Sequence, residues 1–461
     1  MKHTDLCDIY KDYSKYIDTR ITVCGWIRSI RDSKNMCFIA LNDGTVLQPL
    51  QIAADKSALE NCEKLAKQGV GAAIKVTGKL IKAFNDKQPV ELQPESFEIL
   101  GECPSDYPLQ KKKHSMEFLR TIPYLRARTN TFNAMFRVRS QLAKAIHEFF
   151  QSNNFTYVHT PIITGSDCEG AGEIFRVTTH EFETPYKTEE EYYANDFFKQ
   201  KAGLTVSGQL EGEAMAMALG KIYTFGPTFR AENSNTTRHA AEFWQIEPEV
   251  AFADLFDIIE LATNMIKHIT KHVLDNCPAE MDFFENFYEK GLKAKLQNIV
   301  DSEFAVVEYT EAIDILLKAD ADFAYPVSWG CDLQTEHERY LTDIVYKRPV
   351  FVINYPKDIK SFYMKLNPDG KTVAATDLLV PGVGEIIGAS QREDNYDLLM
   401  QQITSRNMKI DDYQWYVNLR KYGSAPHSGY GLGFERMLMY VTGIGNIRDT
   451  MPFPRTTGFL A

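Results

Sequence analysis

The sequence predicts an α+β chain built from two unequal domains, and three observations carry that prediction. Residues 21–100 alternate short strand-like runs with turns. Residues 102–130, with Gly101 directly before them, collect Pro and Lys, the composition of a hinge. From residue 131 to 461 a long amphipathic helix gives way to strand-like runs joined by hairpins rather than by regular βα units, the pattern of a mostly antiparallel sheet flanked by helices. At 461 residues the chain has room for two or three domains, and 44% hydrophobic with 25% charged residues is an ordinary globular composition.

Each element has its own justification. The runs ITVCGWIRSIR, MCFIALNDG, LQPLQIAA, AAIKVTGKLI and VELQPESFEIL read as five strands, with Asn42-Asp43-Gly44 as a hairpin-type turn and a short helix over 57–68. Five strands with one helix inserted late match a small closed barrel of the OB type, placed over residues 1–101. In FNAMFRVRSQLAKAIHEFFQ the residues Phe132, Met135, Phe136, Leu142, Ala143, Ile146, Phe149 and Phe150 fall on one face of a long helix. The strand FTYVHTPIIT follows, running through Pro161. From residue 220 onward KIYTFGPTFRAE, EFWQIEPEV, PVFVINYP, TDLLVPGVGEIIGAS and GYGLGF read as strands, interrupted by a helical insertion at about 251–320.

Charge and cysteine usage narrow the class. A net charge of −11 argues against indiscriminate binding to nucleic acid, DNA included. Residues 101–140 nevertheless carry eight Lys and Arg against three Asp and Glu, a basic joint that permits a localised nucleic-acid contact. The eight Cys form no CxxC pair, so the reading is reduced thiols, no zinc site and a cytoplasmic protein. No apolar core marks the N-terminal stretch as a signal peptide, and no run of about 18 apolar residues marks a membrane span.

Three motifs carry chemistry. FRAENSNTTRHAAEFWQIEPE, residues 229–249, is a strand pair with a polar loop. An arginine at position 230 is costly in a strand unless it meets an anion, and its fork suits phosphate or carboxylate. Arg238 and His239 could hold further phosphate oxygens, and Phe243 offers a ring for a base. An Arg230–Glu232 ion pair over a core Phe fits the same residues, and this motif alone leaves both open. PHSGYGLGFERMLMYVTG, residues 426–443, is Gly-rich and leads into a helix near Glu435. Arg436 in that helix's first turn is unfavourable against the dipole unless an anion lies in front of it. DLLVPGVGEIIGASQRED, residues 377–394, places Asp377 and Glu385 among apolar residues. Paired carboxylates beside arginine-bound phosphates imply Mg²⁺, while a salt bridge to Arg392 is the plainer alternative.

These motifs, in this order, resemble the class II aminoacyl-tRNA synthetases of the aspartyl/asparaginyl/lysyl subgroup. The long helix with Pro161 resembles motif 1, the dimer-forming element; residues 229–249 resemble motif 2; GYGLGFERM resembles motif 3. The likeness runs along nearly the whole chain and implies a class II catalytic domain behind an OB anticodon-binding domain. It further implies ATP and Mg²⁺ as cofactors, tRNA as partner and a homodimer. Arg230 would hold the α-phosphate and the amino-acid carboxylate, and Phe243 and Arg436 would sandwich adenine. Glu232, Arg238 and His239 would complete the ATP site, and Glu385 with Asp377 would bind the metal. Glu169 and Gln209 would receive the substrate ammonium. In the barrel, Phe38 would stack an anticodon base, with Arg31 and Gln51 hydrogen-bonding beside it.

The amino acid is read from departures within that resemblance. Aspartyl members have a lysine three residues after the glutamine of SGQLEG, where this chain has Gly212, and an aspartate where it has Glu247. Arg392, in SQRED, corresponds to the arginine they set against the side-chain oxygen. One donor group and one acceptor group suit a carboxamide, so the expected substrates are L-asparagine and tRNA(Asn). Gly388 stands where some aspartyl relatives have a metal-binding Ser. The competing expectations are an aspartyl enzyme, an ammonia-dependent asparagine synthetase on the same fold, and an inactive RNA-binding paralogue. Residues 21–100 count against the second of these. The retention of Arg230, Glu385 and Arg436 counts against the third.

Overall fold

The computed structural model describes residues 3–84, 88–168, 174–181, 185–234 and 236–460. The chain divides into two compact units, Met1–Phe136 and Arg137–Ala461.

In the first unit β1 (Arg20–Asp32), β2 (Met36–Asn42), β3 (Leu50–Asp55), β4 (Ala73–Lys82) and β5 (Val90–Gly101) close into a barrel in the order β1-β2-β3-β5-β4. Alternation sorts each strand. In β2, Cys37, Ile39 and Leu41 enter the core while Met36, Phe38 and Ala40 face outward. The turn after β2 forms as its residues dictate: Asn42 Oδ1 accepts from Gly44 N at 3.0 Å, and Gly44 takes φ +86°. The expected helix over 57–68 is shorter, Cys62–Ala66. Asp55 accepts from both Ser57 N and Ser57 Oγ, which turns the chain before a helix can start. Residues 102–130, expected as a hinge, hold the helices Met116–Thr121 and Pro123–Arg126. Tyr107, Leu109, Leu119 and Ile122 there form a small core with Phe132.

The second unit is built on ten strands, β6 (Thr156–Tyr157), β7 (Ile163–Thr164), β8 (Gly203–Leu204), β9 (Lys221–Phe229), β10 (Glu242–Ala251), β11 (Ala305–Glu308), β12 (Val350–Ile353), β13 (Ala375–Val380), β14 (Gly384–Gln391) and β15 (His427–Gly433). Eight of them make one sheet, β11-β12-β13-β14-β15-β10-β9-β6, whose central pairs are antiparallel and whose two edge pairs are parallel; β7 and β8 form a separate ribbon.

Three sequence expectations change here. The run 376–390, read as one strand, is the hairpin β13–β14. Its Pro-Gly-Val-Gly stretch makes the turn, with Gly382 and Gly384 at φ +78° and +90°. The expected strand through Pro161 is two two-residue strands, β6 and β7. The stretch at about 251–320 is helical at Leu255–Asn276, Pro278–Phe287, Leu292–Asp301 and Tyr309–Leu317, but β11 lies within it and forms the sheet's edge. Ala305, Val306 and Val307, paired against Val350–Val352, outweigh the helical context.

The sheet's two faces differ in chemistry. Tyr430 of β15 lies on the side of helix Leu255–Asn276, its hydroxyl 3.0 Å from Met265 Sδ. On the other side Gln245, Glu247 and Glu249 of β10 share a face with Gly429 and Gly431 of β15, since residues two apart point the same way.

Candidate active site

A lane of bare backbone crosses that polar face. Glu249, Gly429 and Ser390 are register partners across three strands, and Gly431, Gly388 and Asp377 make the neighbouring row. A Cβ on Gly429 would lie 2.2 Å from Glu249 Oε1, so only glycine admits that carboxylate. A Cβ on Gly388 would lie 3.4 Å from Glu385 Oε1 and 3.6 Å from Asp377 Oδ1, which places the two carboxylates on either side of one glycine.

At one end of the lane a cleft is bounded by Arg230, Glu232, Arg238, His239, Phe243, Glu385 and Arg436. All seven residues expected at the ATP site therefore meet in one place. Arg230 follows directly on β9, and its guanidinium is 5.5 Å from the Phe243 ring of the paired strand. Arg436, in the first turn of helix Phe434–Thr442, is 3.5 Å from Glu385 Oε2. Glu385 thus pairs with Arg436, and Arg392 has other partners. Burial would raise the Glu385 carboxyl, but Arg436, Lys360, Arg230 and Arg238 outweigh it and hold it below the usual carboxylate range. His239 is shifted down by burial and by Arg436, which favours its neutral form, and Thr236 Oγ1 lies 2.6 Å from its Nδ1. The helix beneath is fixed by Glu435, which accepts from Trp244 N at 2.9 Å and pairs with Arg139 at 2.7 Å.

Asp377 does not stand alone beside Glu385. Lys360 Nζ is 2.6 Å from its Oδ2 and 3.9 Å above the Tyr355 ring. Sequence reasoning assigned no role to Glu338, in GCDLQTEHERYL. Its Oε2 accepts from Glu385 N at 3.1 Å, and burial together with Glu385 pushes its carboxyl up to about 8. Thr335, three residues earlier in the same short helix, accepts from Arg238 Nη1 at 2.8 Å. One helical turn therefore touches both the loop arginine and the hairpin backbone at Glu385.

At the other end Gln209, Glu247 and Arg392 are buried. Glu247 accepts from Ser207 Oγ, from Gly208 N at 3.0 Å and from Thr224 Oγ1 at 3.0 Å, at the start of helix Gln209–Leu219, where the helix dipole favours an anion. Arg392 grips Glu249 through Nε at 3.2 Å and Nη2 at 2.5 Å, and its Nη1 donates to Ser390 Oγ at 2.7 Å. Gln209 Nε2 donates to Glu213 Oε1 at 3.0 Å, which turns the amide oxygen away from Glu213. Glu213, Glu249, Tyr416, Arg420 and His427 were missed. The local signals were the four-residue helical spacings Gln209–Glu213 and Tyr416–Arg420; Glu249 meets Arg392, and Glu213 meets Tyr416, Arg420 and His427, across 143 to 214 residues. Glu169 lies outside the described residues.

In the barrel, Arg31 pairs with Phe38 across β1 and β2, its guanidinium 4.7 Å from the ring. Gln51 pairs with Ala40 and donates to Glu91 at 3.1 Å. Phe38 lies outside the barrel core, so the three expected residues share an outer face.

The family model described as tRNA synthetases class II (D, K and N) matches residues 115–457, and that of the OB-fold nucleic acid binding domain matches residues 21–100. The asparagine--tRNA ligases of Acetivibrio thermocellus and Bacillus cytotoxicus are 58% and 56% identical, each over 99% of both chains. The asparaginyl-tRNA synthetase of Pyrococcus horikoshii, solved with asparaginyl-adenylate, superposes with a TM-score of 0.86 at 32% identity, covering 97% of both chains. A family match over most of the length, with relatives this similar from end to end, establishes that the chain belongs to the class II tRNA synthetases of the D, K and N group, on their asparagine branch.

Proposed function

We propose that the protein activates L-asparagine with ATP and transfers the asparaginyl group to tRNA(Asn). The observation that carries this reading is the polar sheet face itself. A cleft rimmed by Arg230, Arg238 and Arg436 opens onto a glycine lane that ends at buried Gln209, Glu247 and Arg392.

The chemistry needs no general base, because the asparagine carboxylate is already an anion. It attacks the α-phosphorus of ATP, the bond to the β-phosphate oxygen breaks, and pyrophosphate leaves. Arg230 holds the carboxylate and α-phosphate together and neutralises the charge that builds on the phosphate oxygens. Phe243 and Arg436 hold the adenine, and Glu232, Arg238 and His239 orient the rest of the nucleotide. A ribose hydroxyl at the tRNA 3′ end then takes the acyl group, and AMP leaves. Gln209, with Glu169, receives the ammonium, while the side-chain carboxamide meets Arg392 through its oxygen and Glu247 through its NH₂.

Glu385 and Asp377 suit Mg²⁺: Glu385 is held ionised, and both carboxylates flank Gly388, where no side chain intervenes. The metal would neutralise phosphate charge there. Arg31, Phe38 and Gln51 would take the anticodon. Residues from the helix Asn130–Ser152 onward would form a homodimer, in the cytoplasm.

The test is charging of a tRNA(Asn) transcript with labelled asparagine. Asparagine-dependent charging is expected. Adenylate formation from aspartate without charging would move the reading to an asparagine synthetase, and silence in both steps from folded protein would favour an inactive paralogue.

A further inference from the structure

Beneath the amino-acid end, two carboxylates that the reaction does not consume are arranged around Arg392. Glu213 is fully buried and accepts from Gln209 Nε2 at 3.0 Å, Arg420 Nη2 at 2.7 Å and the Tyr416 hydroxyl at 2.9 Å. Its Oε1 is 3.9 Å from Arg392 Nε. His427 Nε2 lies 2.8 Å from Glu213 Oε2 and its Nδ1 lies 2.9 Å from Ala425 O. The ring is thus held between Glu213 and the backbone, with Arg420 Nη2 3.5 Å from its Nε2.

Glu249 is the second carboxylate. It takes Arg392 bidentately, and the lane keeps glycine at position 429 to make room for it. Glu247 follows two residues away on the same face of β10. Around Arg392 the charged groups are Glu249 on β10, Glu213 on helix Gln209–Leu219, Arg420 on helix Gln414–Lys421 and His427 on β15. The nearby Glu393 carboxylate is committed to the backbone N–H groups of Leu366 and Asn395, each at 3.1 Å.

Resting on the asparagine reading, we propose that Glu249 is a specificity-determining residue: it neutralises Arg392 from below, so that the guanidinium offers the substrate a hydrogen-bond donor without a net positive charge. A carboxamide oxygen needs only the donor. A carboxylate needs the charge as well, and in this pocket it also meets Glu247. Glu213, held by Arg420, His427 and Tyr416, is the positioning residue that fixes both Gln209 and Arg392. The carboxyl of Glu249 is pushed up to about 7, because burial removes its solvation, Arg392 restores only part of it, and Glu213 adds repulsion. The neutralisation is therefore within reach of mild acidification.

The experiment is ATP–pyrophosphate exchange with asparagine and aspartate, using wild-type protein and Glu249→Gln. Wild-type exchange with asparagine establishes the underlying reading independently of the variant. In Glu249→Gln, kcat/KM for aspartate is expected to rise at least tenfold, in absolute terms, while that for asparagine falls or holds. Structural damage would lower both, so a variant without a gain for aspartate overturns the proposal. If Glu249→Gln does not fold, the wild type decides at pH 8.5 and pH 6.0. A rise in aspartate kcat/KM relative to asparagine at the lower pH supports the proposal, and an unchanged ratio overturns it.

Discussion

At the phosphate end of the sheet face, Arg230, Arg238 and Arg436 rim an open cleft around the ionised carboxylate of Glu385. At the amino-acid end, Arg392 and Arg420 are buried and each is gripped by a carboxylate. On the proposed function, the same guanidinium chemistry does two jobs. Where the substrate is a polyphosphate, positive charge in excess binds it and stabilises the transition state. Where the substrate is a neutral carboxamide, charge must be cancelled in advance, since an unmatched buried charge would select the wrong amino acid.

The comparison can be broken from either end. The largest effect is expected at the phosphate end: Arg230→Ala should lower kcat in ATP–pyrophosphate exchange by about 100- to 1,000-fold with little change in Tm. A loss below about tenfold would remove Arg230 from the reaction centre. At the other end Glu247→Gln should cost little in overall rate but reduce the preference for asparagine over aspartate by about 100-fold, since roughly 3 kcal/mol of charge repulsion is removed. Unchanged selectivity would sink the carboxamide assignment. In the barrel, Phe38→Ala should reduce kcat/KM for tRNA by about tenfold through lost stacking and leave pyrophosphate exchange intact. The smallest effect is on pH. With its pKa near 7, Glu249 is charged above that value and neutral below it, so discrimination against aspartate should weaken several-fold, on the order of 1 kcal/mol, as pH falls from 8 to 6.

What was legible in the sequence follows the same divide. Arg230, Arg238, His239, Phe243 and Arg436 sit in short motifs whose residue types are odd for their local structure, and the cleft gathers all of them. The barrel was legible because Cys37, Ile39 and Leu41 alternate cleanly with outward residues. The hairpin at 381–383 was merged into one strand because its flanks are continuously apolar, although Pro381 and Gly382 marked the turn. The strand β11 was hidden because four residues among helices carry too little periodicity to register. Of the frame beneath Arg392 only the helical spacings Gln209–Glu213 and Tyr416–Arg420 were legible: Glu213 meets Arg420 and His427 across more than 200 residues, and no local pattern in one chain encodes such a pairing.

The most direct test of the account is the ratio of kcat/KM for asparagine to that for aspartate in ATP–pyrophosphate exchange by the unmodified protein. A balanced amino-acid end predicts that asparagine is preferred by at least about 100-fold at pH 8. Equal use of the two amino acids, or a preference for aspartate, would contradict it.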